Sequence, residues 1–188
     1  MFTLTNLDEV ERWAKLLGLI IGIPVAIVGL FKAIYEIQQS RKQRAAELRW
    51  KQANTTKELL NDIHEHGLAK NAVHMLDWCE GQGEYEISPG QTKTISYADV
   101  LASLQRNHMD ARDAKEQYVR DCFDWFFFRV DRIEHYIRRD LIDFIDVKAI
   151  FKVYAREIAK HKEIYEDFLD FHEYELAKAF FDRYSKTP

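Results

Sequence analysis

The sequence predicts an all-α protein, in which an N-terminal transmembrane helix continues into a long stalk helix and is followed by an antiparallel helical domain. The stretch LLGLIIGIPVAIVGLF, from Leu16 to Phe31, carries no charge. No Gly or Pro falls between Gly29 and Gly67, a range that is dense in good helix formers. After residue 114, apolar residues recur every three or four positions, which is typical of amphipathic helices.

The uncharged stretch has three interpretations: a membrane span, a cleaved export signal or a buried helix. Its sixteen residues cover roughly 24 Å, a little less than the roughly 30 Å hydrocarbon core of a bilayer. Trp13 and Tyr35 are placed as interfacial aromatic residues at its two ends. The preceding segment is acidic and no small-residue cleavage site follows. Because soluble helices are rarely apolar on every face, we predict an uncleaved anchor within residues 1–35.

Basic residues concentrate after this stretch, at Lys32, Arg41, Lys42, Arg44, Arg49 and Lys51. By the positive-inside rule, the N-terminus lies outside and the remainder faces the cytoplasm, as in a single-pass protein of the bacterial inner membrane. Anionic lipid headgroups account for this cluster more simply than RNA does. Two cysteines far apart in sequence, Cys79 and Cys122, agree with a reducing compartment.

Small residues mark one face of the expected anchor. Gly18, Gly22 and Ala26 repeat every four residues, which allows a neighbouring helix to approach closely and favours a homo-oligomer. Small residues are also common in membrane helices that do not associate, so the alternative stays open. Pro24 removes a backbone donor at mid-bilayer and is expected to weaken the helix locally.

We divide the rest into a stalk, residues 36–66, with sparse apolar positions, and a helical domain, residues 67–188. Alternating residues around SPGQ predict a small β-hairpin near residues 84–97, and Ser96 with Asp99 resembles a capping box for the next helix. Two long helices follow. The expected core stripes are Cys122, Phe126, Val130, Ile133, Ile137 and Leu141, then Val147, Phe151, Tyr154, Ile158, His161, Tyr165, Phe168 and His172.

The sequence has no Gly-rich phosphate loop, HExxH, paired CxxC or GxSxG motif. Nucleotide hydrolases and zinc enzymes therefore lose support, and we predict no cofactor and no metal. His64, Glu65 and His66 are adjacent on a predicted helix, where neighbouring side chains point apart, so they do not favour a closed metal site.

One motif is compatible with catalysis. Arg156 and His161, in REIAKH, fit the R-x4-6-H pattern of HEPN-type ribonucleases, which this segment resembles. The resemblance implies a His that acts as general acid or base on RNA and an Arg that stabilises phosphoryl charge. Five residues at about 100° each place the two about 140° apart on an unbroken helix, so a cooperating pair requires a helix break or a partner chain. The alternative is a packed histidine and a surface arginine.

The run YVRDCFDWFFFRVDRIEHYIRRDLIDFIDVKAIF resembles that of single-span bacterial membrane proteins with a helical cytoplasmic domain. The layout is also similar to that of the small accessory membrane proteins of type VI-B CRISPR systems. This resemblance implies a role in phage defence and a protein partner from the same system. We therefore expect a non-enzymatic effector that assembles through Gly18, Gly22, Pro24 and Ala26 and perturbs the bilayer. Two alternatives stay open: a membrane-tethered ribonuclease that binds RNA, and a tethered scaffold for a partner protein.

Overall fold

The structure is a computed structural model that describes residues 5–77, 81–105 and 113–185, without the side chains of 5–9, 19, 21–24 and 185. The chain forms two compact units, Met1–Trp50 and Lys51–Pro188. This division falls inside the segment that we predicted as a stalk.

Helix α1 runs from Thr5 to Glu65. Its residues up to Trp50 form the described part of the first unit, and the remainder supplies the first helix of the second unit. Helix α1 contains 61 residues and continues through position 24. Its length follows from the run of helix formers without Gly or Pro after Gly29.

The predicted transmembrane span has no support in the described residues. Where side chains are described, no helix combines the length and the apolar character needed to cross a membrane. Positions 19 and 21–24 of the apolar stretch, including Gly22 and Pro24, lie outside the described side chains.

In its described residues, the second unit is helical apart from one hairpin, as predicted. After the end of α1 come α2 (Gly67–Asp77), β1 (Gln82–Ser88), β2 (Gln91–Ser96), α3 (Tyr97–Gln105), α4 (Ala114–Arg138), α5 (Phe144–Lys160), α6 (Lys162–Phe171) and α7 (Glu175–Ser185). Helix α4 packs against α2, α3 and α7 and forms the centre of the unit.

The predicted hairpin and capping box are both present. Strands β1 and β2 pair antiparallel, and Gly90 supplies the positive φ of 75° that the turn requires. At the start of α3, the Ser96 hydroxyl accepts from the Asp99 amide at 3.2 Å, and the Asp99 carboxylate accepts from the Ser96 amide at 2.9 Å. This reciprocal pair satisfies two amide groups that a helix start otherwise leaves unbonded.

The core of the second unit is aromatic. Phe123, Phe126 and Phe127 on α4 are fully buried and contact aromatic rings of α5, α6 and α7. Part of α1 belongs to this core, since Leu59 and Ile63 are buried with it. The predicted α4 stripe is buried from Cys122 to Ile137.

The structure departs from the expected core stripes at Leu141 and at His161. Helix α4 ends at Arg138 because Asp140 takes a left-handed conformation (φ 55°) and Leu141 N–H bonds back to the Tyr136 carbonyl at 3.0 Å. This turn leaves Leu141 exposed and buries Ile142 in its place.

The second helix is also not continuous, because α5 ends at Lys160 and α6 begins at Lys162. No Pro or Gly lies at this break. His161 has φ −123° and ψ 41°, outside the helical region, and beyond it Tyr165 and Phe168 are buried against Phe127. Tertiary packing therefore sets the break, which local propensity does not predict.

The first turn of helix α7 is capped by a carboxylate from another helix. One oxygen of Asp131, on α4, accepts from the amides of Leu176 at 3.0 Å and Ala177 at 3.1 Å. The α7 start is thus capped by a residue 45 positions earlier in the chain.

Candidate functional site

The apolar segment of α1, Leu16–Phe31, is exposed wherever its side chains are described. Its large apolar residues, from Leu16 at 45% to Phe31 at 68% exposed, cover more than half of the helix circumference, and Gly18, Ala26 and Gly29 lie along the remaining face. A helix that rests on a protein core has one covered face, and contiguous exposed apolar surface marks a site of interaction. The described side chains of the segment thus form a contiguous exposed apolar surface in the first unit.

The predicted oligomerisation face is only partly described. A Cβ added at Gly18 would meet no atom within 4 Å, and Ala26 is exposed. In the single chain, this face is open to a neighbouring helix. Gly22 and Pro24 belong to positions 21–24, which lie outside the described side chains.

The structure gives Arg156 and His161 different neighbours. The Arg156 side chain is 69% exposed, and its Nε lies 3.5 Å from the carboxylate of the adjacent Glu157. His161 is half-buried at the break between α5 and α6, where its ring meets the edge of Tyr97 at 5.7 Å. The two residues are not on one unbroken helix, so the separation of about 140° expected for such a helix does not apply to them.

A charged cluster joins the end of α1 to α4. The buried Arg129 donates to the Asp62 carbonyl at 3.1 Å, the Asp62 carboxylate at 3.3 Å and the Trp125 carbonyl at 3.1 Å. Arg132 donates to the same carboxylate at 3.1 Å. The Arg129 guanidinium also lies 5.2 Å from the centre of the Trp125 ring. Each charged group of the cluster has a partner, so its evident effect is to hold the two helices together.

His66 borders this cluster and caps α2. Its ring is 4.6 Å from that of Trp125, and its Nδ1 accepts from the Ala69 amide at 3.4 Å. Burial lowers the pKa of His66, the Arg129 charge lowers it further, and Asp62 opposes the shift. The neutral imidazole is therefore the form that this position favours.

A second polar cluster lies between α4 and the α6–α7 turn. Asp124 accepts from the Tyr174 hydroxyl at 2.8 Å and lies 3.2 Å from His172 Nδ1. Burial raises the pKa of Tyr174, and the hydrogen bond to Asp124 raises it further. Aromatic rings of Phe168 and Phe171 flank His172 at 4.5 and 5.0 Å, so this histidine belongs to the packing of the α6–α7 turn.

Two carboxylates are buried in the described part of the second unit. Glu134 accepts from Arg138 at 3.0 Å and from Arg183 at 2.7 Å, which ties α4 to α7. Glu157 accepts from Lys160 at 2.8 Å. Glu134 therefore connects two helices, whereas the Glu157–Lys160 pair lies within α5.

Cys122 is a core thiol. It is fully buried, and burial raises its pKa to about 12. Such a thiol is a poor nucleophile because the thiolate is the reactive form. Within residues 5–77, 81–105 and 113–185, no three His, Cys, Asp or Glu side chains group closely enough to hold a metal ion.

Sequence reasoning missed the buried Arg129 and Arg120. Arg120 donates to the Ser103 carbonyl at 2.9 Å and lies 5.0 Å from the Phe168 ring centre. For Arg129, the available signal was its spacing. It follows Phe126 by three positions and precedes Ile133 by four, so it lies along the apolar stripe.

Comparison with protein-family models, with curated proteins and with solved structures found no match to this chain.

Proposed function

We propose that this protein is a non-enzymatic effector or accessory protein that associates with a bilayer through the apolar segment of α1 and acts there as a homo-oligomer. The observation that carries the proposal is the exposure of large apolar side chains around more than half of the circumference of that segment. The exposure of such a surface to water is unfavourable, whereas contact with lipid tails or with a second apolar helix removes it from water. The five positions with undescribed side chains are also uncharged in sequence.

The role in bacterial defence rests on the resemblance to single-span accessory membrane proteins. The aromatic run of α4 and the N-terminal apolar segment carry that resemblance, which also supplies the expectation of the inner membrane, a cytoplasmic second unit and a protein partner. The assembled protein perturbs or permeabilises the membrane.

The primary test combines flotation with lipid vesicles and the mass of the full-length protein in mild detergent. We expect co-flotation and a closed oligomer. Gly18→Leu fills the open small-residue face and is expected to lower the subunit number. Ile20→Phe is the matched control, because it adds bulk on the opposite side of the same helix. A protein that stays with the aqueous fraction and is monomeric would refute the proposal.

A functional test measures the release of a trapped dye from vesicles. We expect wild-type protein and Ile20→Phe to release the dye, and Gly18→Leu to release less. Intact vesicles at every protein concentration would refute the permeabilising role.

A membrane-tethered ribonuclease is the second candidate, and the helix break at His161 is the observation that favours it. The break allows an orientation of His161 relative to Arg156 that an unbroken helix does not. RNA cleavage by wild-type protein that is lost in His161→Ala, and retained in His64→Ala, is the result that this candidate requires. Replacing residues 16–31 with an unrelated span separates a tethered scaffold from the effector, because a scaffold tolerates the change and the effector does not. RNA cleavage separates the scaffold from the ribonuclease.

A further inference from the structure

A shallow groove lies on α1, just beyond the apolar segment. It is lined by Ala33, Glu36, Ile37, Ser40, Arg41 and Arg44. Ala33, Ile37, Ser40 and Arg44 follow one another at spacings of four, three and four, so they form a single stripe along the helix. The groove therefore has one end at which Ala33 and Ile37 lie beside the Glu36 carboxylate, and a basic end at Arg41 and Arg44.

The charges at the basic end are available to a ligand. Lys32 engages Glu36 at 3.9 Å, and within the described part of the chain neither Arg41 nor Arg44 is paired with a carboxylate. Residues three apart on a helix are neighbours at about 5–6 Å between Cβ atoms. The two guanidinium groups can therefore converge on one group, with the Ser40 hydroxyl beside them.

We propose that Arg41, Arg44 and Ser40 bind the phosphate of an anionic phospholipid headgroup, with Ala33 and Ile37 in contact with the glycerol and upper acyl region. Arginine binds phosphate by paired, charge-assisted hydrogen bonds. Arg41 and Arg44 follow Ile37 by about 6 and 10 Å along the helix axis, which is within reach of the headgroup layer when Ile37 lies at its inner edge. This inference rests on the proposed membrane association.

The chemistry of the groove favours lipid over single-stranded RNA. Single-stranded RNA binds basic grooves that present aromatic side chains for stacking, whereas this groove contains aliphatic side chains and is continuous with the apolar segment.

The test is the retention of lipid by full-length protein in mild detergent, measured by native mass spectrometry with phosphatidylglycerol and phosphatidylcholine at equal concentration. Wild-type protein is expected to retain phosphatidylglycerol preferentially. Each basic residue near anionic lipid contributes on the order of a fivefold preference, so the double variant Arg41→Gln/Arg44→Gln is expected to lose about thirtyfold. The control Arg49→Gln/Lys51→Gln removes the same charge further along α1 and is expected to change the preference less than threefold. Gln keeps helix propensity, so helix content stays unchanged.

Equal retention of the two lipids by wild-type protein would overturn the inference, as would an equal loss in the two double variants. Displacement of the phosphatidylglycerol by single-stranded RNA or by inorganic phosphate, with no lipid preference left, would also overturn it. Flotation separates this failure from that of the proposed function. The Arg41→Gln/Arg44→Gln protein still floats with phosphatidylcholine vesicles if only the headgroup site is wrong, and wild-type protein floats with neither kind of vesicle if membrane association itself is wrong.

Discussion

The Asp62 carboxylate offers a direct test of how burial sets the energy of an ion pair in this fold. It meets two arginines at nearly the same distance, Arg129 at 3.3 Å and Arg132 at 3.1 Å. The Arg129 side chain is 7% exposed and that of Arg132 is 43% exposed. Distance alone predicts equal coupling energies, whereas screening by water predicts that the buried pair is the stronger one.

The structure sets the expected magnitudes. Asp62→Ala leaves Arg129 with its two carbonyl acceptors but without a counter-charge, at a cost of about 2 kcal/mol in the free energy of unfolding. Asp62→Asn keeps an acceptor and is expected to cost about half as much. In double-mutant cycles, we expect a coupling of about 1–2 kcal/mol for Asp62 with Arg129 and below about 0.5 kcal/mol for Asp62 with Arg132.

The assay is urea unfolding of the full-length protein in mild detergent, followed by circular dichroism, with Arg129→Met and Arg132→Met as the second partners. Met retains the apolar stem of the side chain, so the cycle isolates the charge. Equal coupling energies for the two arginines, or a larger one for Arg132, would refute the argument from burial.

Three further predictions concern the second unit. The pKa of His66 is lowered below 6.5, so its contribution to stability is complete above that pH and is lost as the pH falls toward its folded-state pKa. His66→Gln should therefore flatten the pH profile of the free energy of unfolding. An unchanged profile would contradict this. Phe126→Ala should cost about 3–5 kcal/mol and the exposed Phe171→Ala within about 0.5 kcal/mol, measured by the same unfolding assay. Cys122 should resist iodoacetamide at neutral pH in the folded protein and react after unfolding; rapid labelling of the native thiol, detected by peptide mass spectrometry, would show that it is not buried.

The sequence predicted the elements whose signals are local. The hairpin follows from alternation around a turn that contains Gly90, and the start of α3 follows from Ser96 and Asp99 at capping-box spacing. The α4 stripe follows from the helical period of apolar residues. Each of these signals acts over a few residues, so it is readable without the fold.

The features that were missed depend on contacts across the chain. The break at His161 carries no breaker residue and accompanies the packing of Tyr165 and Phe168 on α4. The burial of Arg129 requires the Asp62 carbonyl, which lies 67 positions earlier. For the candidate site, the apolar segment and the basic residues Arg41 and Arg44 were evident from the sequence, whereas the pairing of Glu36 with Lys32 required the structure.

The capping of α7 by Asp131 has a consequence for the order of folding. The first amides of an isolated helix find few partners, and short helices are marginal in water. Since α7 has only eleven residues and its first turn takes its acceptor from α4, this C-terminal helix should acquire order only after α4 is in place. A nascent chain would therefore complete its aromatic core last, when Phe180 closes over Phe151 and Phe144.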